Sequence, residues 1–190
     1  IVKINGRRLY LKGVNRHEFG LDGRVMSEEL MRHDLEIMKT HNINAVRTSH
    51  YTNNPRWYEL CSEYGIYVMD ENPLETHAYA GLVPGGRSDC LPVILDRMNT
   101  TIERDKNETS VVFWSMGNET GPGSVFRDLF DFCKSKDDRI VHFEADMRYS
   151  ELFASMYSSP EWVENRANNQ EKPVIICEYA HAMGNSEGGL

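Results

Sequence analysis

Short apolar runs alternate along this chain with longer segments whose apolar residues recur every three or four positions. That alternation predicts strands and helices in turn. Asn5-Gly6, between Val2-Ile4 and Leu9-Leu11, is a hairpin-turn signal. Leu9 to Val14 reads as a first strand. Ser27 then caps a helix, with Glu28 and Glu29 in its first turn and Met31, Leu35 and Met38 on one face. Asn44 to Ser49 reads as a second strand. Asn54-Pro55 opens the next helix, Trp57, Leu60, Cys61 and Tyr64 face inward, and Gly65 ends it. Ile66 to Asp70 is a third strand. Leu91, Leu95, Met98 and Ile102 mark a helix before a fourth strand, Val111 to Met116. Ser124 is placed to cap a helix bearing Val125, Leu129 and Phe132. Ile140 to Phe143, Leu152 to Met156 and Val174 to Cys177 complete seven strands, with a short, weak helix over Glu161 to Asn168.

Alternating strands and helices imply a parallel sheet with helical crossovers. The expected fold class is α/β: a (β/α)8 TIM barrel, truncated before the eighth strand, forming a single catalytic domain over residues 1–190. A doubly wound sheet is the alternative. It calls for a glycine-rich phosphate turn after the first strand, where this chain has the polar run Asn15-Arg16-His17-Glu18. The chain is also shorter than the ~250 residues typical of such barrels. Tyr79 to Asp89, with Gly81, Gly85 and Gly86, reads as a mobile loop.

The net charge of −8 argues against a nucleic-acid partner, whose surface should be basic. No run is long and apolar enough to span a membrane. Cys61, Cys90, Cys133 and Cys177 show neither C-x-x-C pairing nor zinc spacing, and a reduced, cytoplasmic setting is the default.

The chemistry gathers just past the strand ends. One apolar strand delivers Asn118-Glu119, and another delivers Glu178 followed by Tyr179 and His181. His17, His50, Glu75, His77 and Tyr157 follow other strands. In a barrel these positions converge on the catalytic face. Two carboxylates so placed suit glycoside hydrolysis. A retaining mechanism needs them ~5–5.5 Å apart, one as acid and one as nucleophile, and an inverting one needs more room for water.

Five collinear stretches carry a resemblance: Gly13-Val14-Asn15-Arg16-His17-Glu18, Ala45 to Tyr51, Leu74-Glu75-Thr76-His77, Met116-Gly117-Asn118-Glu119, and Cys177-Glu178-Tyr179-Ala180-His181 continuing to Ser186. Together the chain resembles the large bacterial β-galactosidases of glycoside hydrolase family 2. Glu75-Thr76-His77 points to that branch over the related β-glucuronidases and β-mannosidases. The resemblance implies Glu119 as general acid/base, Glu178 as nucleophile, and Asn118 on the sugar 2-hydroxyl. It implies His17, His50 and His181 around the sugar, Tyr157 against the nucleophile, and a Mg²⁺ shared by Glu75, His77 and Glu119. With a histidine in that set, Mn²⁺ should be tolerated too. The family's Na⁺ site, its eighth strand and the selector of the sugar 4-hydroxyl fall outside this sequence. Tyr79 to Cys90 departs from the family pattern. The expected partner is a small carbohydrate, with homo-oligomerisation of a full-length protein. The competing readings are another family 2 glycosidase and a fragment inactive on its own. Arg47 and Asp70 are expected to form an ion-pair network supporting the barrel mouth.

Overall fold

The computed structural model describes residues 1–169 and 171–181. The Ala182 to Ser186 part of the last motif lies outside the described residues. A small hairpin, β1 (Lys3–Ile4) and β2 (Arg7–Arg8), turns through Asn5 and Gly6. Five parallel strands follow in sequential order: β3 (Gly13–Arg16), β4 (Ala45–Thr48), β5 (Tyr67–Glu71), β6 (Val111–Ser115) and β7 (Ile140–His142). A separate parallel ladder joins β8 (Phe153–Met156) to β9 (Val174–Glu178). The helices are α1 (Glu28–Thr40), α2 (Pro55–Tyr64), α3 (Leu91–Asp105), α4 (Val125–Lys136) and α5 (Pro160–Asn169).

The expected α/β class with a parallel sheet is present, but the strands do not form one continuous ladder. A segment with a 3-10 turn over Met147–Tyr149 separates β7 from β8, and its end is tied back to β7 by Glu151 N–H donating to Val141 O at 2.9 Å and by Val141 N–H donating to Glu151 Oε2 at 2.8 Å. Among the described residues no ladder joins β9 to β3; the two are bridged at Asn15, whose side-chain amide donates to Cys177 O on β9 at 2.9 Å.

Local signals explain most helix ends. Ser27 Oγ accepts the Leu30 N–H, and Asn54 Oδ1 accepts the Arg56 N–H. Ser124 is different: its side chain makes no capping bond. The entry to α4 is held instead by Val125 N–H donating to Gly85 O at 3.3 Å. That contact belongs to the segment expected to be mobile. Pro84 and Gly85 are buried, and a Cβ on Gly123 would sit 2.0 Å from the Gly85 backbone. Two glycine backbones in direct contact dock this loop onto the segment after Glu119.

Register explains where the site lies. Met69, Phe113 and Ile140 are paired neighbours across β5, β6 and β7 and form an apolar layer with Leu152 and Ile175. Two residues further along each strand, on the same face, stand Glu71, Ser115 and His142, again paired neighbours. The barrel interior therefore changes from apolar to polar toward the C-terminal strand ends. On the outer face, Val46, Val68, Trp114 and Val141 pack against Leu35, Leu60, Met98 and Leu129 from the helices.

Asp70 points to that outer face, opposite Glu71. Its Oδ1 accepts from Tyr58 Oη at 2.7 Å and Thr48 Oγ1 at 3.2 Å, while Oδ2 is buried without a partner. Burial, then the neighbouring Asp105 carboxylate, raises the Asp70 carboxyl well above its usual range. A carboxyl raised in the fold takes up a proton on folding. Its contribution is complete below the unfolded value near ~4 and is lost as pH rises toward the folded one. Asp70→Asn keeps an acceptor oxygen and removes the charge. It is expected to melt above the parent at pH 7, with the gap closing as pH falls toward ~4. A lower melting temperature than the parent at pH 7 would count against this.

Candidate functional site

Arg47 on β4 organises the polar layer. It is 5 % exposed, and its three nitrogens reach in different directions. Nε donates to Glu71 Oε2 at 2.7 Å, Nη2 to Asn118 Oδ1 at 2.7 Å, and Nη1 to Glu178 Oε1 at 3.1 Å. Burial alone would lower the guanidinium, but Glu71, Cys177 and Glu178 together outweigh it and hold Arg47 charged. The expected Arg47–Asp70 pairing is thereby corrected. Neighbouring strand residues face opposite sides, and the inward acid is Glu71.

Glu71 is fully buried, which raises its carboxyl. Arg47 and the His50 and Ser115 hydrogen bonds more than offset this and hold it at about 2. His50 Nδ1 lies 2.7 Å from Glu71 Oε1, so it donates, and Nε2 then faces Glu178 Oε1 at 3.9 Å. Ser115 gives its one proton to Glu71 Oε2 at 2.7 Å. His142 Nδ1, 3.0 Å from Ser115 Oγ, must therefore be the donor there. Burial, then Arg47, lowers His142 to about 3, so it is neutral at ordinary pH.

Both oxygens of Glu178 are held. Oε1 accepts from Arg47, and Oε2 accepts from Tyr157 Oη. The Tyr157 N–H also donates to Glu178 O at 2.7 Å. Tyr157 has a left-handed backbone with φ of 52°, and burial, then the Glu178 carboxylate, raises its phenol. The His181 ring stands edge-on to Tyr157 at 5.8 Å. His17 makes the same kind of contact with His50 at 5.3 Å, and burial, then His50, lowers its pKa.

Glu119 sits in the turn after β6. Gly117, at φ of 148°, lets that turn pass beneath Leu74, whose carbonyl would lie 2.6 Å from any Cβ there. Asn118 N–H then donates to Leu74 O at 2.9 Å, pairing Asn118 with Glu75. Because Asn118 Oδ1 faces Arg47, its amide nitrogen faces the acids, 3.3 Å from Glu75 Oε1 and 3.5 Å from Glu119 Oε2. Glu119 itself has φ of 45°, and its Oε2 lies 2.5 Å from His77 Nδ1. Glu75, His77 and Glu119 each offer a donor atom within 4.8 Å of the others. Two carboxylates and one imidazole on an exposed rim suit a divalent cation that keeps water ligands.

The structure thus brings Glu178, His50, Asn118, Tyr157, His17 and His181 to one mouth, with Glu119, Glu75 and His77 adjoining through Asn118. Sequence reasoning missed Glu71 as the partner of Arg47. It also missed Glu144, whose Oε1 accepts the Glu119 N–H at 2.6 Å. The pattern of a charged residue immediately after an apolar strand was available for both.

The full chain, residues 1–190, matches the family described as glycosyl hydrolases family 2, TIM barrel domain. It is 47% identical over 207 residues to a β-galactosidase of Priestia megaterium, covering 100% of this chain and 20% of that protein. It is 45% identical over 208 residues to a β-galactosidase of Halalkalibacterium halodurans, covering 100% of this chain and 20% of that protein. The chain therefore spans about a fifth of the length of these relatives. Among solved structures, a Faecalibacterium prausnitzii β-glucuronidase superposes with a TM-score of 0.79 at 27% identity, over 96% of this chain and 37% of that one. A Bifidobacterium dentium β-glucuronidase complexed with coumarin-3-O-glucuronide gives 0.77 at 24%, over 95% and 34%, a likeness of fold. Matched from end to end by that family's barrel, the chain belongs to the TIM barrel domain of glycosyl hydrolases family 2.

Proposed function

We propose that this chain is the catalytic barrel portion of a longer, retaining β-galactosidase that hydrolyses terminal β-galactosides of the lactose type. One observation carries the reading: a single buried arginine, Arg47, holds both Glu178 and the Asn118 that adjoins Glu119. Glu178 attacks the anomeric carbon and forms a galactosyl ester as the glycosidic bond breaks. Glu119 gives its proton to the departing oxygen, then takes one from the water that cleaves the ester. Arg47 and Tyr157, donating to the two Glu178 oxygens, fix its orientation and stabilise it as it leaves again. Asn118 meets the sugar 2-hydroxyl with its amide, and His17, His50 and His181 line the ring. The galactoside preference is supported by identity to β-galactosidases of 47%, against 27% to a β-glucuronidase. Assay of nitrophenyl galactoside, glucuronide and mannoside on the full-length protein tests it, and preferential turnover of the glucuronide would overturn it.

Glu75, His77 and Glu119 would hold a Mg²⁺, or a Mn²⁺ in its place. When bound, the ion supplies a fixed positive charge beside Glu119. Mn²⁺ titration of the full-length protein, read by electron paramagnetic resonance, should show tight binding that weakens roughly 10–100-fold in Glu75→Gln. Unchanged affinity would remove the metal from these residues. A carbohydrate partner, self-association of the full-length protein and a reduced, cytoplasmic setting complete the proposal. The last is supported by four free cysteines, with burial pushing the Cys133 and Cys177 thiols up to about 12. Among the described residues, no helix is long and apolar enough to cross a membrane.

A further inference from the structure

We infer that Glu144 is a positioning residue that sets the place of the Glu119 carboxylate by gripping its main chain. The inference rests on the proposed role of Glu119 as acid/base. Glu119 occupies the left-handed backbone region, with φ of 45°, which a side chain with a Cβ adopts at a cost and keeps only where its surroundings impose it. The turn carrying it is not part of a strand or helix, so its N–H has no ladder partner. Glu144, two residues beyond β7, supplies that partner: its Oε1 accepts the Glu119 N–H at 2.6 Å. Among the described residues this is the one hydrogen bond that the Glu144 side chain makes.

The neighbouring ties point the same way. Leu74 O fixes the Asn118 N–H, and Arg47 fixes the Asn118 side chain. Neither acts on Glu119 itself. Without Glu144, the Glu119 main chain loses the bond that holds it in the left-handed conformation, and only the His77 and Asn118 contacts at Oε2 remain to place the carboxylate against the bond it must protonate. Misplacement by about 1 Å can cost on the order of 10²-fold in rate.

The test is leaving-group dependence of kcat/KM in the full-length protein, with Glu119→Gln measured alongside. Glu144→Ala should lower kcat/KM roughly 10–100-fold on an alkyl galactoside, yet less than about 3-fold on the dinitrophenyl galactoside, whose leaving group needs no proton. Glu144→Gln keeps an acceptor oxygen and should stay within about 3-fold of the parent on both. Should the alanine variant fail to fold, Glu144→Asp, which withdraws the acceptor by one methylene, carries the same expectation. Equal losses on both substrates, or none, in a background where Glu119→Gln does discriminate between them would overturn the inference. If Glu119→Gln itself loses both equally, the acid/base assignment fails, and the inference with it.

Discussion

Glu178→Gln, in the full-length protein, should lose turnover by at least on the order of 10⁴-fold on every galactoside, activated or not. An amide held by the same neighbours cannot form the ester. Glu119→Gln should behave differently. Its kcat/KM should fall by about 10²–10⁴-fold on alkyl galactosides, the usual worth of general acid catalysis, and remain near the parent on the dinitrophenyl galactoside. The contrast follows from geometry as well as from role. Glu178 is gripped at both oxygens by Arg47 and Tyr157, as suits a group that must approach one carbon along one line. Glu119 is more open, 29 % exposed at its side chain against 13 % for Glu178, and lies on the rim of the mouth. Steady-state kinetics on the two substrates measure both. Equal losses in the two variants would reverse or dissolve the assignment.

Arg47→Met should damage stability and activity together. The guanidinium lies between a wholly buried carboxylate, Glu71, and two site residues. Removing one partner of a buried pair costs about 3–5 kcal/mol, because the other charge is left uncompensated. The pH dependence should also change sign. In the parent, Glu71 is held at about 2, so its stabilisation is present above its unfolded value near ~4.5 and is lost as pH falls through about 2. Without Arg47, burial is the largest remaining influence and raises Glu71. The contribution would then weaken as pH rises through the range above ~4.5. Hydrogen-exchange protection of the β4, β5 and β6 amides, followed from pH 4 to 7 in the full-length protein, reads this locally. An Arg47→Met protein whose protection matches the parent would refute the central place given to this arginine.

The elements were legible where local rules hold. Ser27 and Asn54 cap their helices, Gly65 ends α2, and Met31, Leu35 and Met38 are buried as their spacing requires. Strand ends were less so. The apolar run from Leu9 to Val14 suggests the first barrel strand there, but the strand runs over Gly13–Arg16, in register with β4. Likewise β5 extends to Glu71 and β9 to Glu178. In each case the strand continues into polar residues because its C-terminal end lines the mouth, so an apolar pattern stops short of the functional part. The loop from Tyr79 to Asp89 is hard to read for another reason. Its glycines suggested mobility, yet Gly85 is the surface on which Gly123 rests. Glycine content does not distinguish freedom from close backbone contact. The polar residues that gather at the mouth could be picked out from their positions after strands, whereas the Arg47 bonds that tie Asn118 and Glu178 together depend on separate strands meeting and leave no mark in sequence spacing.

The most direct measurement is covalent capture in the full-length protein. A 2-deoxy-2-fluoro-galactoside with an activated leaving group forms its ester quickly and releases it slowly, and peptide mass mapping then locates the sugar. A single adduct is expected, on Glu178, formed at a comparable rate when Glu119 is glutamine. An adduct on another residue, or turnover with no covalent species at all, would contradict it.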